Sequence, residues 1–300
     1  MEVKTNSLRA WLLASRPKTL SGAAVPVMIG ISLAYVDGAG YGGEVFSPTA
    51  ALLCLLFAFV MQIDANFIND FFDFAKGTDD IDTRLGPPRA CAQGWVTLDA
   101  MKKAIALTTC LACVVGLPLI FYGGLEMIVV GAVCVLFCFL YTTHLSYIGL
   151  GDVLVLLCFG VIPVTVTYYV QLHTVTSEVL LASVACGLVI DALLLVNNFR
   201  DRDTDRLAGK NTLVVMVGEK AALQIYLGVA IGAIIIGATF WMNGHPLATL
   251  LPLFYLLLHV YTWTDIKRIN SGRELNRCLG ATARNIFIYG LTVTIGLLLI

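Results

Sequence analysis

Long apolar runs separated by short polar segments dominate this chain. Runs near the length of about 20 residues that a helix needs to cross a bilayer occur at residues 19–36, 49–74, 103–121, 127–143, 152–171, 178–199, 221–241, 246–264 and 281–300. The pattern predicts an all-α, polytopic membrane protein with nine transmembrane helices, forming a single membrane-embedded domain over residues 1–300. The run 49–74 ends in polar residues, so its last turns are expected to leave the hydrocarbon. No soluble domain and no low-complexity linker interrupts the pattern.

Composition agrees. Of 300 residues, 58% are hydrophobic and 13% charged, against about 45–50% and about 25% in a typical soluble domain. Mean hydropathy is +0.85. The segment from Met1 to Lys18 is polar and basic and leads straight into the first span, so no cleavable signal peptide is expected. The nine cysteines lie mostly inside apolar runs, as Cys110, Cys113, Cys134 and Cys138 do. They read as packing thiols, not as a disulfide framework or a zinc site.

Charge adds orientation. All 19 Lys and Arg residues precede the first span, fall between spans two and three, six and seven, or eight and nine, or stand in the opening turn of spans three and nine, as Lys103 and Arg284 do. The loops 37–48, 122–126, 172–177 and 242–245 contain none. The positive-inside rule then places the N-terminus and the basic loops in the cytoplasm and the C-terminus outside a plasma or inner membrane. A missed or invented span would scatter these charges over both faces. Sixteen of the 20 acidic residues share the basic side. Two of its loops, 75–102 and 200–220, are long enough to cap a cavity.

The chemistry concentrates at two span ends. Asn66, Asn69, Asp70 and Asp73 follow helical spacing at the end of span two, and Asn198, Asp201 and Asp205 follow it at the end of span six. On a helix each set forms one polar stripe. Carboxylates gathered at a membrane edge repel one another and cost desolvation energy unless neutralised. The nearby Arg200, Arg202 and Arg206 offer partners, which is the plain reading of a solvated helix end. Two such stripes on one side favour another reading: hard oxygen donors suit Mg²⁺, which combines one or two carboxylates with phosphate oxygens. Asp70, Asp73, Asp201, Asp205 and Asn66 are the candidate ligands, with a diphosphate between the stripes. Arg16, Lys18, Arg84, Arg89 and Lys210 are the candidate phosphate-binding cations.

The motifs Asn69-Asp70-x-x-Asp73 and Asp201-x-x-x-Asp205 resemble the paired Asp-rich motifs of the UbiA-type intramembrane aromatic prenyltransferases. The nine-span layout is similar over almost the whole chain. Within that family, several stretches look most like the 1,4-dihydroxy-2-naphthoate polyprenyltransferases of menaquinone synthesis. They are Arg16-Pro17-Lys18-Thr19, the run from Asn69 to Asp79, Arg84-Leu85-Gly86-Pro87-x-Arg89, the run from Asn197 to Asp205, and Gly209-Lys210-x-Thr212-Leu213. The resemblance implies nine helices around a central cavity open laterally to lipid. It implies Asp70, Asp73, Asp201 and Asp205 on Mg²⁺ and diphosphate, assisted by Asn66, Asn69 and Asn198, with Lys210 and nearby arginines on phosphate. Some family members carry a further Asp where Gly77 stands here, and Asp79 is the candidate replacement. Asp64 and Asp191, deeper in the membrane, depart from the pattern; an intramembrane carboxylate is a functional hypothesis by default.

The implied reaction joins a polyprenyl diphosphate to an aromatic acid. For the naphthoate, attack comes from the carbon bearing the carboxylate, and CO₂ and diphosphate leave, giving a demethylmenaquinone. Asp152 is the candidate to orient the acceptor hydroxyl; a helix-start Asp explains it equally well. A dry wall would protect the allylic cation, with Phe71, Phe72, Tyr141, Phe159, Tyr168 and Tyr169 as contributors. A prenyltransferase acting on another acceptor, such as 4-hydroxybenzoate, homogentisate or a haem, fits the same motifs. A transporter would carry its charges near the bilayer midplane, and a CDP-alcohol phosphotransferase would carry a D-G-x-x-A-R run; neither is present. No nucleic-acid partner is expected, and the oligomeric state is left open.

Overall fold

The computed structural model describes residues 3–39, 46–77, 84–143 and 145–299, and every regular element among them is helical. A short helix, α1 (Leu8–Ser15), breaks at Arg16, whose backbone is left-handed (φ 49°), before α2 (Leu20–Ala39). There follow α3 (Pro48–Ala75), α4 (Leu98–Gly123), α5 (Glu126–Thr143), α6 (Gly151–Leu172), α7 (Ser177–Leu207), α8 (Glu219–Met242), α9 (Pro246–Ile269) and α10 (Leu275–Leu298). Among the described residues, α2 to α10 fall on the nine apolar runs of the sequence. Eight spanning segments meet both length and hydropathy for crossing a bilayer, and α5 is a shorter apolar helix. At about 1.5 Å per residue, the 18 residues of α5 reach about 27 Å, close to the hydrocarbon thickness.

The ends of the helices have local causes. Ser47, Thr97 and Thr176 each accept a backbone N–H in the first turn of α3, α4 and α7, which satisfies a donor that a helix start otherwise leaves free. Pro48 begins α3, where its missing N–H costs nothing. In α6 the turn Leu156–Val161 is a π turn. Pro163 has no N–H to bond the Phe159 carbonyl, and the widened turn puts Cys158 and Phe159 on the cavity wall.

α7 is the central helix. It packs against α2, α6, α8 and α10, while α3 packs against α4 and α5. The peripheral α4 turns apolar side chains outward: Leu107, Leu111, Val114 and Leu117 form an exposed stripe on it, as a lipid-facing helix requires. Small residues let the helices approach, a common device in membranes. A methyl group at Gly160 would stand 2.4 Å from the Gly187 Cα. Gly160→Ala is therefore expected to force α6 from α7 and cost about 1–3 kcal/mol. A thermal-unfolding scan in detergent that left the midpoint unchanged would contradict this close crossing.

The spans lie within a few residues of the expected limits at most ends. α7 differs most: it stays helical to Leu207, so the whole stripe from Asn197 to Asp205 rides on one rigid element. The second capping loop is correspondingly shorter and includes the one-turn helix Leu213–Val217. The cavity is lined from α2 to α7 and by α10, and α8 and α9 supply no lining residue. They back α7 and α10 instead.

Candidate functional site

One cavity of about 1510 Å³ opens inside the bundle, larger than the roughly 300–1,000 Å³ typical of small-molecule sites. One end is polar and the other apolar. Asn69, Asp73, Asn198, Asp201 and Asp205 line the polar end, together with Arg16, Lys18, Arg84, Arg89 and Lys210. Phe57, Met61, Leu117, Ile120, Met127 and Val130 line the apolar part. Both stripes thus face a common space, because α3 and α7 deliver their polar ends to the same end of the bundle.

The acidic side chains are held by cations. Arg89 Nη2 donates to Asp73 Oδ2 at 3.0 Å. Lys210 Nζ lies 3.6 Å from Asp205 Oδ1. Arg200, only 3% exposed, grips Asp201 with Nε at 2.8 Å and Nη2 at 2.6 Å. The same Nη2 donates to Asn197 Oδ1 at 2.8 Å. Asn69 accepts a hydrogen bond from Thr142. Lys76 and Lys210 stand over the Tyr147 ring at 4.5 and 5.9 Å.

The donor set fits a divalent cation. Asn69, Asp73, Asn198, Asp201 and Asp205 offer hard oxygens, and Asp205 Oδ2 is shielded from solvent without a hydrogen-bond partner among the described residues. Among the described residues no three carboxylate, thiol or imidazole groups converge as a ready cage. Mg²⁺ takes few protein carboxylates and fills its octahedron with water and phosphate oxygens.

Three expected site residues face elsewhere. Asp70 is 0% exposed and does not line the cavity. Its two oxygens accept the backbone N–H groups of Ala90 and Cys91 at 2.8 and 2.9 Å. In this structure it holds the loop after α3, where a metal ligand was expected. Asn66 donates to the Ser15 carbonyl at 3.0 Å and to Thr19 Oγ1 at 2.9 Å. It clamps the break between α1 and α2, beside Arg16 and Lys18 on the cavity wall. Asp152 lies in the first turn of α6, off the cavity wall, with Oδ1 buried and unpartnered among the described residues. That placement does not meet an acceptor-binding role.

Asp64 is fully buried and accepts from Thr108 and Thr109 of α4, the latter at 2.7 Å; it joins α3 to α4. Asp191 is buried off the cavity. Asp79 lies outside the described residues. Of the expected aromatic wall, Tyr141 and Phe159 line the cavity. Phe71 and Phe72 pack in a cluster with Trp11 and Phe67, Tyr168 donates to Asp37 at 2.6 Å, and Tyr169 packs beside Val170 and Met127. Thr142, Tyr147 and Asn276 line the site without having been singled out in the sequence. Asn197, noted there only as a neighbour of Asn198, lines it too.

Comparison with known proteins fits this architecture. The model of the UbiA prenyltransferase family matches residues 23–289. A 1,4-dihydroxy-2-naphthoate octaprenyltransferase from Escherichia coli is 37% identical over 80% of this chain and 78% of its own length. One of the same name from Haemophilus influenzae is 34% identical over 70% of each chain. Among solved structures, a UbiA homolog from Archaeoglobus fulgidus bound to GPP and Mg²⁺ superposes with a TM-score of 0.65 at 14% identity. That match covers 95% of this chain and 99% of the other.

Proposed function

The chain belongs to the UbiA prenyltransferase family, and from that premise we propose that it transfers a polyprenyl group from its diphosphate to 1,4-dihydroxy-2-naphthoate. It is a multi-pass membrane polyprenyltransferase. The acceptor reading is supported by the relatives of that activity at 37% and 34% identity over most of the chain. The observation that carries the chemistry is the cavity itself: two oxygen-rich stripes with Arg16, Lys18, Arg84, Arg89 and Lys210 at one end, an apolar channel at the other. We place the polar end at the cytoplasmic face, following the one-sided distribution of Lys and Arg, and read residues 1–300 as one functional unit.

In the reaction the allylic carbon–oxygen bond breaks and diphosphate leaves with the electron pair. The ring carbon bearing the carboxylate bonds to the allylic carbon, and CO₂ leaves with the C–C electrons returning to the ring. The product is the hydroquinone of a demethylmenaquinone. Asn69, Asp73, Asn198, Asp201 and Asp205 are the residues to hold Mg²⁺, which when bound neutralises charge growing on the leaving diphosphate. Arg84, Arg89 and Lys210 hold the phosphate oxygens, and Arg16 and Lys18 close the rim. Tyr141, Phe159 and the apolar lining exclude water from the cation.

The test uses purified protein, Mg²⁺, labelled polyprenyl diphosphate and a panel of aromatic acids. Prenylation of the naphthoate with stoichiometric release of its carboxyl carbon as CO₂ is expected. Transfer only to 4-hydroxybenzoate would overturn the acceptor, and transfer to none in folded protein would overturn the enzyme.

A further inference from the structure

The loop after α3 carries Arg84 and Arg89, and its stretch at Leu85 is held by a residue from the far end of the sequence. Asn276, in the first turn of α10, donates from Nδ2 to the Leu85 carbonyl at 2.8 Å. Its Oδ1 accepts from Arg200 Nη1 at 2.9 Å. One amide thus ties three elements: the loop, α7 and α10. The approach is close, since a Cβ at Gly86 would stand 2.7 Å from Arg200 Nη2. Arg273 reinforces it, donating to the Arg84 carbonyl at 3.3 Å. Asn276 itself lines the cavity.

The rest of the loop has its own anchors. Ala90 and Cys91 bind Asp70, and the Trp95 carbonyl accepts the Asn6 N–H at 2.8 Å. These fix residues 90–95. The stretch that bears Arg84 is fixed from α10. An asparagine amide suits this place because it alone among small side chains donates and accepts at once in one plane. Arg200 contributes a planar fork with three directions in use: Asp201, Asn197 and Asn276.

We propose that Asn276 is a positioning residue of the diphosphate site: it holds the Arg84-bearing stretch over the polar end of the cavity and, with the other side of its amide, sets Arg200 against Asp201. The kinetic part of this rests on the prenyltransferase reading above; the structural part does not. Breaking the Leu85 bond frees the loop, and breaking the Arg200 bond loosens the orientation of Asp201. Two variants separate the two. Asn276→Asp keeps an acceptor for Arg200 and loses the donor to Leu85. Asn276→Ala loses both.

Hydrogen exchange on substrate-free protein is the first measurement. Both variants are expected to speed exchange at the amides of Arg84, Leu85, Gly86 and Arg89 at least tenfold (Pro87 and Pro88 carry none) while leaving residues 90–97, held by Asp70 and Asn6, unchanged. Steady-state kinetics is the second. Both variants are expected to raise KM for the polyprenyl diphosphate about tenfold with the acceptor KM unchanged, and Asn276→Ala alone to lower kcat as well. Unchanged exchange at 84–89 in both variants would overturn the proposal, as would a parallel rise in both KM values. If Asn276→Ala does not fold, Asn276→Asp decides alone. If the chain proves to transfer no prenyl group, the exchange measurement still decides whether Asn276 holds the loop.

Discussion

Asp205→Ala is expected to lower kcat about a thousandfold, roughly 4 kcal/mol of barrier, with little change in thermal stability. Among the described residues the salt-bridge partner of Asp205 is Lys210, at 3.6 Å, and that lysine is partly exposed. Removing the carboxylate therefore leaves no buried charge behind, and the loss falls on the reacting complex. Asp73→Ala is expected to lose activity alike but also some stability, because it takes a carboxylate partner from the largely buried Arg89. Asp201→Ala should lose activity and stability together. Arg200 is 3% exposed, and stripping a buried cation of its partner costs about 3–5 kcal/mol. Asp70→Ala should show a third pattern. It orphans the buried N–H groups of Ala90 and Cys91, at about 1–3 kcal/mol each, and loosens residues 90–97. Its activity loss should follow that loosening. The comparison is made with kcat, a melting midpoint and hydrogen exchange for all four variants. An Asp205→Ala enzyme within tenfold of the parent would remove that carboxylate from the proposed metal site. An Asp70→Ala protein as stable as the parent would undo the loop-anchoring role.

The sequence carried the helices well and the side-chain directions less well. Span length, and the confinement of basic residues to one side, are properties of the bilayer as solvent, so they show in a single chain. That is why α2 to α10 fall where the apolar runs do. The stripes were legible for the same reason: spacing on a helix fixes which residues share a face. Spacing cannot say which part of that face meets the cavity. Asn66 and Asp70 share the stripe of Asn69 and Asp73, yet α3 turns them toward α1 and toward the loop after α3. What decides this is a contact 47 residues away in one case and 20 in the other. Asn276 was less legible still. It sits 191 residues from Leu85 and 76 from Arg200, in a segment whose polar composition reads as an ordinary helix start. The exchange of roles at Asp152 has a similar cause, since an acid in a first turn serves the helix dipole whether or not it faces a substrate.

The second large effect concerns how the cations and the metal share the acids. Arg89 and Lys210 pair with Asp73 and Asp205, and both also line the space where the diphosphate is proposed to sit. Each must release its carboxylate before that group can take a divalent cation, and each then has the phosphate oxygens to turn to. Metal and diphosphate should therefore bind together far better than either binds alone, with equal and reciprocal coupling. Both pairs are mostly buried, so desolvation offsets much of their attraction, and removing one competitor should tighten metal binding about fivefold, roughly 1 kcal/mol, in the absence of diphosphate. With diphosphate present the sign reverses. Arg89→Ala and Lys210→Ala lose a charge-assisted phosphate contact and should weaken joint binding at least tenfold. Titration of Mn²⁺ as a spectroscopic probe, with and without inorganic diphosphate, measures both arms on the same sample. Weaker Mn²⁺ binding in the variants without diphosphate, or affinities indifferent to diphosphate in the parent protein, would mean that these cations are fixed partners of the acids and do not exchange between them and the substrate.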